Sequence, residues 1–179
     1  MKLKNPHLVK LVYSAVCLAL CLALPFLTGQ IPQIGDMLCP MHLPVLLCGF
    51  LCGWQWGMAV GAVAPMLRSA IFTMPQMFPT AAAMTFELAA YGALAGLCYK
   101  MFPKKPQYIY ASLILAQIGG RIVWGPVRYF FTGLAGKEFP LSAFFAGAFV
   151  NAYPGIIAQI IIVPLIVLAM KKARLVPER

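Results

Sequence analysis

Long apolar runs dominate the chain, and clusters of Gly, Pro, Gln and Lys interrupt them at fairly regular intervals. A helix that crosses a bilayer needs about 20 mostly apolar residues. On that measure the pattern predicts six spans, at about 8–27, 42–53, 56–73, 81–101, 107–132 and 142–170. The interruptions carry the chemistry of turns. They are the segment from Thr28 to Met41, the turn Gly53-Trp54-Gln55-Trp56-Gly57, the stretch Thr73 to Thr80 with Pro75 and Pro79, the Lys-Pro connection around Pro103 and Pro106, and Gly133 to Pro140. Proline removes a backbone donor and clashes with the preceding turn, and glycine frees the backbone to bend, so each cluster ends a helix. The first run has the basic start of a signal peptide, but it is longer than a signal core and no A-x-A site follows it, so it reads as a retained span. The fold predicted is an all-α membrane protein of six transmembrane helices, forming a single integral membrane domain over 1–179.

Composition agrees with the pattern. Of 179 residues, 62% are hydrophobic and 10% are charged, and mean hydropathy is +0.85. Soluble domains carry about 25% charged residues, so lipid is the solvent for most of these side chains. Six spans would use about 120 residues, which leaves no room for a soluble nucleotide-hydrolysing module. The net charge of +10 does not point to nucleic acid, because the cations sit at the ends of the apolar runs. With a cytoplasmic N-terminus, Lys2, Lys4, Lys10, Lys100, Lys104, Lys105, Lys171, Lys172, Arg174 and Arg179 fall inside and Lys137 falls outside. Such an excess on one side sets topology. An odd number of spans would move one basic tail across, so charge supports an even count and cytoplasmic termini without reference to hydropathy.

Small residues recur at four-residue spacing: Ala15, Ala19 and Ala23 in the first span, Gly49 and Gly53, Gly57 and Gly61, Gly92 and Gly96 in the next three. Such stripes let backbones approach closely where burial against lipid gives no drive. The glycines fit packing inside the bundle. The alanine stripe fits either internal packing or an outward face for another membrane subunit. The six cysteines form no C-x-x-C pair and read as small buried hydrophobes, and no metal site is expected.

Charges inside spans are costly, so they are normally paired, interior-facing or functional. Glu87, Arg68, Arg121 and Arg128 fall there, with Asn151 the polar residue of the last span. At 1.5 Å per residue, all five lie in the outer half or near mid-membrane, as the lining of a pocket open to the outside would. Arg68 and Arg128 also fit snorkelling to headgroups. Arg121 lies too deep for that and is expected to pair with Glu87 or a backbone carbonyl. Three arginines against one carboxylate favour a substrate bearing a carboxylate or phosphate. Trp124, Tyr91, Tyr129 and Tyr153 lie near this depth, where aromatic rings either stack on a flat ligand or form an interfacial belt. His42, beside Pro44, fits a helix cap, a hydrogen-bonded structural role or a ligand contact. There is no G-x-S-x-G, H-E-x-x-H or phosphate-binding G-x-x-x-x-G-K, and the four acids are too few for most metal or phosphoryl chemistry, so no enzyme and no cofactor is expected.

At this point the chain resembles the substrate-binding S-components of energy-coupling factor (ECF) vitamin transporters. The likeness rests on six spans in about 180 residues, the stripe Ala15-x-x-x-Ala19-x-x-x-Ala23 and the segment Met41-His42-Leu43-Pro44-Val45. It also rests on the outer loop Thr73-Met74-Pro75, Glu87-Leu88-Ala89-Ala90-Tyr91-Gly92 and Gly120-Arg121-Ile122-Val123. The resemblance implies capture of a vitamin or precursor from outside a prokaryotic cell membrane, with the loops Thr28 to Met41 and Thr73 to Thr80 closing over it. It implies docking through the alanine stripe onto a coupling transmembrane subunit driven by two cytoplasmic ATPases. By position it assigns substrate contacts to Glu87, Arg121, Trp124, Asn151 and Tyr153, with Arg68, Arg128, Tyr91 and His42 as further candidates. The positive excess leans toward a pantothenate-like anion, with pyridoxine or hydroxymethylpyrimidine next. The alternative is a self-sufficient small-molecule transporter or channel that needs no ATPase.

Overall fold

The computed structural model describes residues 5–28, 37–103, 105–137, 140–173 and 175. Most of the loop from Thr28 to Met41, with Asp36, and the basic residues Lys2, Lys4, Lys104, Arg174 and Arg179 lie outside them. Among the described residues every element is helical and there is no strand. Helix α1 covers Pro6–Ala23, α2 His42–Cys52, α3 Trp54–Phe72, α4 Ala82–Met101, α5 Pro106–Leu134, α6 Leu141–Phe145 and α7 Tyr153–Lys172.

Proline and glycine set the boundaries. Pro6, Pro106 and Pro154 occupy first-turn positions, where a missing N–H costs nothing. A tightened turn, Leu24–Thr28, containing Pro25 closes α1. Gly53 divides α2 from α3 at φ +102, a conformation side chains rarely adopt. Thr73 ends α3 in the left-handed region at φ +58. The segment then passes Pro75 into a wide helical turn, Met77–Ala81, that contains Pro79 and leads into α4.

The helices pack against one another in alternating directions. α4 is central, lying against α2, α3 and α5, while α7 packs on α2 and α5. One end of the bundle gathers the ends of α1, α3 and α5 with the beginnings of α2, α4 and α7. At the opposite end the Tyr13 hydroxyl donates to the Leu175 carbonyl at 2.9 Å, and Lys171 Nζ lies 5.4 Å from the Tyr99 ring centroid. The described beginning and end of the chain therefore meet at one end of the bundle.

Close backbone approach holds the centre together. A Cβ on Gly92 would fall 2.2 Å from the carbonyl oxygen of Gly57, so α3 and α4 can touch only because both positions are glycine. Around this contact α2 buries Val45, Leu46, Leu47, Cys48 and Phe50. It is buried nearly all round, as a helix apolar on every face should be. Its 11 residues span only about 16 Å, half the hydrocarbon thickness of about 30 Å. Among the described residues three stretches are long and apolar enough to cross a membrane: Pro6–Leu27, Met77–Met101 and Tyr153–Lys172. α3 and α5 have the length, but Arg68, Arg121, Arg128 and several glutamines dilute their apolar character.

The last predicted span, about 142–170, is not one helix. α6 ends at Phe145, a wide turn follows over Ala146–Val150, and α7 restarts at Tyr153. Pro154 supplies the reason, since it lacks the N–H a continuous helix needs and crowds the carbonyl of Val150. The alanine stripe faces outward: Ala15, Ala19 and Ala23 are exposed, beside exposed Leu8, Leu11, Val12, Val16 and Leu20. Ser14, Cys17 and Cys21 form the inward side of α1.

Candidate functional site

A buried polar cluster lies in the half of the bundle where α2, α4 and α7 begin. Glu87, the sixth residue of α4, is 1% exposed. Its Oε1 receives the Arg121 Nη1–H from α5 at 2.9 Å and lies 3.3 Å from His42 Nε2 at the start of α2. A carboxylate oxygen can only accept, so Nε2 is the protonated nitrogen of His42 when the ring is neutral, and Nδ1 then presents a lone pair. One acid thus joins three helices. Sequence order alone brings none of these residues together; parallel packing of α4 on α2 and antiparallel packing of α4 on α5 do.

Aromatic rings wall the cluster. Tyr91, one turn along α4 from Glu87, is 1% exposed and meets the His42 ring edge-on at 5.0 Å. Arg121 lies 5.8 Å from the Trp124 ring centroid, within cation–π range. Trp124 in turn stacks on Phe144 of α6 at 5.9 Å and an interplanar angle of 28°.

The guanidinium of Arg121 is unevenly used. Nη1 has the carboxylate. Among the described residues Nη2 donates to Cys39 Sγ, at 3.6 Å, and Nε is buried with no hydrogen-bond partner. His42 Nδ1 is likewise buried and unpartnered. A buried polar atom left unmade costs about 1–3 kcal/mol, so both point to a molecule that would complete them. Nε–H and one Nη2–H of a guanidinium point the same way and form its side-on fork, which matches a pair of acceptor oxygens. Among the described residues that fork meets the Cys39 thiol at Nη2 and leaves Nε open.

The remaining candidates are distributed differently. Arg68 is 2% exposed, but it donates to the Leu22 carbonyl at the end of α1 and lies 4.9 and 5.2 Å from the rings of Phe26 and Phe72. It clamps α1 to α3 and contributes its charge there. Arg128 is half-buried two turns beyond Arg121 along α5. Asn151 sits in the exposed turn before α7, and Tyr153 is exposed. One turn deeper on α5 than Arg121, Gln117 Nε2 donates to Gln159 Oε1 of α7 at 3.0 Å, a buried amide pair.

Sequence reasoning missed Cys39 and Phe144. Cys39 looks like a small hydrophobe in a proline-flanked loop, and its one signal is proximity to His42. Phe144 belongs to a run read as plain span, and nothing in its pattern marks it out. Among the described residues no group of three metal-ligating side chains comes together.

The family described as ECF transporter, substrate-specific component, matches residues 9–167. No curated protein and no solved structure matched the chain.

Proposed function

The chain belongs to the family of ECF transporter substrate-specific components, membrane proteins that bind the transported molecule, and we propose that it captures a vitamin-sized molecule bearing a carboxylate or an equivalent pair of acceptor oxygens. The observation that carries this reading is the side-on fork of Arg121, buried, with Nε unpartnered and Nη2 on a thiol among the described residues. In this reading the substrate's acceptors take the fork, His42 Nδ1 accepts a hydroxyl or amide proton, and Trp124 with Phe144 and Tyr91 shapes the apolar part. Glu87 keeps the guanidinium and imidazole in place. A pantothenate-like molecule meets these demands. Pyridoxine or a hydroxymethylpyrimidine, with one ring edge toward Glu87 and His42, is the next choice. Removal of Arg68 from the cluster weakens the case from charge alone, so the preference rests on fork geometry rather than on a count of arginines.

The protein would be a six-span component of a prokaryotic cell membrane with cytoplasmic termini. The common end for the described chain termini and the lysines of that end support this topology. α2, too short to cross alone, would complete its passage with residues of the preceding loop. Asn151, Tyr153 and Arg128 would stand nearer the entrance, with the loops around Thr28 to Met41 and Thr73 to Thr80. The exposed face of α1 around Ala15, Ala19 and Ala23 would dock the coupling transmembrane subunit, and two cytoplasmic ATPases would supply the energy. The test is calorimetric titration of pantothenate into the purified chain in lipid nanodiscs, without partner subunits. Saturable binding by wild type and its loss in Arg121→Ala support the reading; equal binding by both refutes it.

A further inference from the structure

Cys39 is buried just before the start of α2. Its backbone is left-handed at φ +46, a conformation that costs a side-chain-bearing residue about 1–3 kcal/mol and persists only when its surroundings impose it. Those surroundings are defined. The backbone of Met37 and Leu38 rests directly on Gly155 at the start of α7, the Met41 carbonyl accepts from Cys21 Sγ at 3.5 Å, and the Cys39 carbonyl accepts from the His42 N–H at 3.0 Å. The segment is thus pinned to α7, α1 and α2, and it brings the thiol to Arg121 Nη2.

Sulfur is a weak acceptor. On a buried guanidinium whose Nη1 already has a carboxylate, it occupies the fork without competing strongly for it. We infer that Cys39 is a positioning residue that acts through Arg121, a weak placeholder that occupies Nη2 of the side-on fork in the empty site and yields it to the substrate's acceptor. This inference rests on the reading of Arg121 as the substrate anchor. A stronger acceptor at the same point would keep the fork for itself, and no acceptor would leave it open. Affinity should therefore fall as the acceptor strength of residue 39 rises, which a thiol serving only to fill space would not produce.

The experiment compares Cys39→Ala, Cys39→Ser, Cys39→Asp and Arg121→Ala in lipid nanodiscs, with pantothenate as the probe and thermal unfolding of the probe-free protein as a second readout. Cys39→Ala binds about two- to fivefold tighter than wild type, the value of one weak neutral hydrogen bond. Cys39→Ser binds more weakly than wild type. Cys39→Asp, which can pair bidentately with the guanidinium, loses roughly tenfold or more, yet its probe-free form unfolds at no lower temperature than wild type. If Cys39→Asp and Cys39→Ser bind as wild type while Arg121→Ala has lost binding, the placeholder is overturned and the anchor stands. If Arg121→Ala binds as wild type, the anchor itself fails. Absence of pantothenate binding by wild type rejects the substrate class and the placeholder together.

Discussion

Arg121 and His42, from α5 and α2, converge on the same oxygen of Glu87, at 2.9 and 3.3 Å. The carboxylate is shared while Nε of one partner and Nδ1 of the other stay buried and unsatisfied. A cluster built only to hold helices together would close its hydrogen bonds. This one leaves a donor and an acceptor open.

That sharing predicts strong non-additivity. Removing one partner of a buried ion pair leaves an uncompensated charge and costs about 3–5 kcal/mol, whereas replacing both with apolar groups is often nearly neutral. Glu87→Gln and Arg121→Met should each lower the unfolding midpoint, and the double variant should be more stable than the sum of the single effects predicts. Thermal unfolding in detergent gives the cycle. Strict additivity would mean that the two side chains do not interact in the folded protein.

Arg68 should behave in the opposite way. It bonds the Leu22 carbonyl and lies against Phe26 and Phe72, away from Glu87. Arg68→Met keeps the apolar stem and loses the hydrogen bond and the ring contact, together about 1–3 kcal/mol. Stability should fall while pantothenate affinity stays within about twofold of wild type. A tenfold loss of affinity in a folded variant would return Arg68 to the binding site.

Much of this was legible in the sequence, and the reasons for the exceptions are physical. The pairing of Arg121 with Glu87 follows from the cost of charge in an apolar run, and helix starts and stops follow from Pro6, Gly53 and Pro106. The fate of Arg68 does not follow, because its depth suits a pocket and a helix clamp equally and only the approach of α1 to α3 decides. The break at 151–152 was signalled by Pro154, but a single proline inside an apolar run also occurs at Pro65, Pro126 and Pro164, where the helices continue. Cys39 became visible only when the loop was seen pinned against three helices.

The centre of the bundle tolerates no added carbon. Gly92→Ala should lower stability by about 1–3 kcal/mol, the usual cost of overpacking, because its Cβ would meet the Gly57 backbone and neither backbone can move without shifting a helix. Unchanged unfolding in this variant would mean that α3 and α4 are further apart than described.

The outward alanine face can be separated from the site. Ala19 is exposed on α1, so Ala19→Leu should leave pantothenate affinity intact and disrupt co-purification with the coupling subunit. Loss of substrate binding in a folded Ala19→Leu protein would place that stripe in the internal core instead.

We propose that Glu87 and Arg121 form the seat of a small molecule captured by this chain alone. Mass spectrometry of the material released by denaturing the purified protein tests it most directly, with wild type compared against Arg121→Ala. The expected result is a vitamin-sized molecule bearing a carboxylate or a comparable acceptor pair, present near one equivalent in wild type and absent from the variant. The same molecule retained at the same stoichiometry by Arg121→Ala would contradict it.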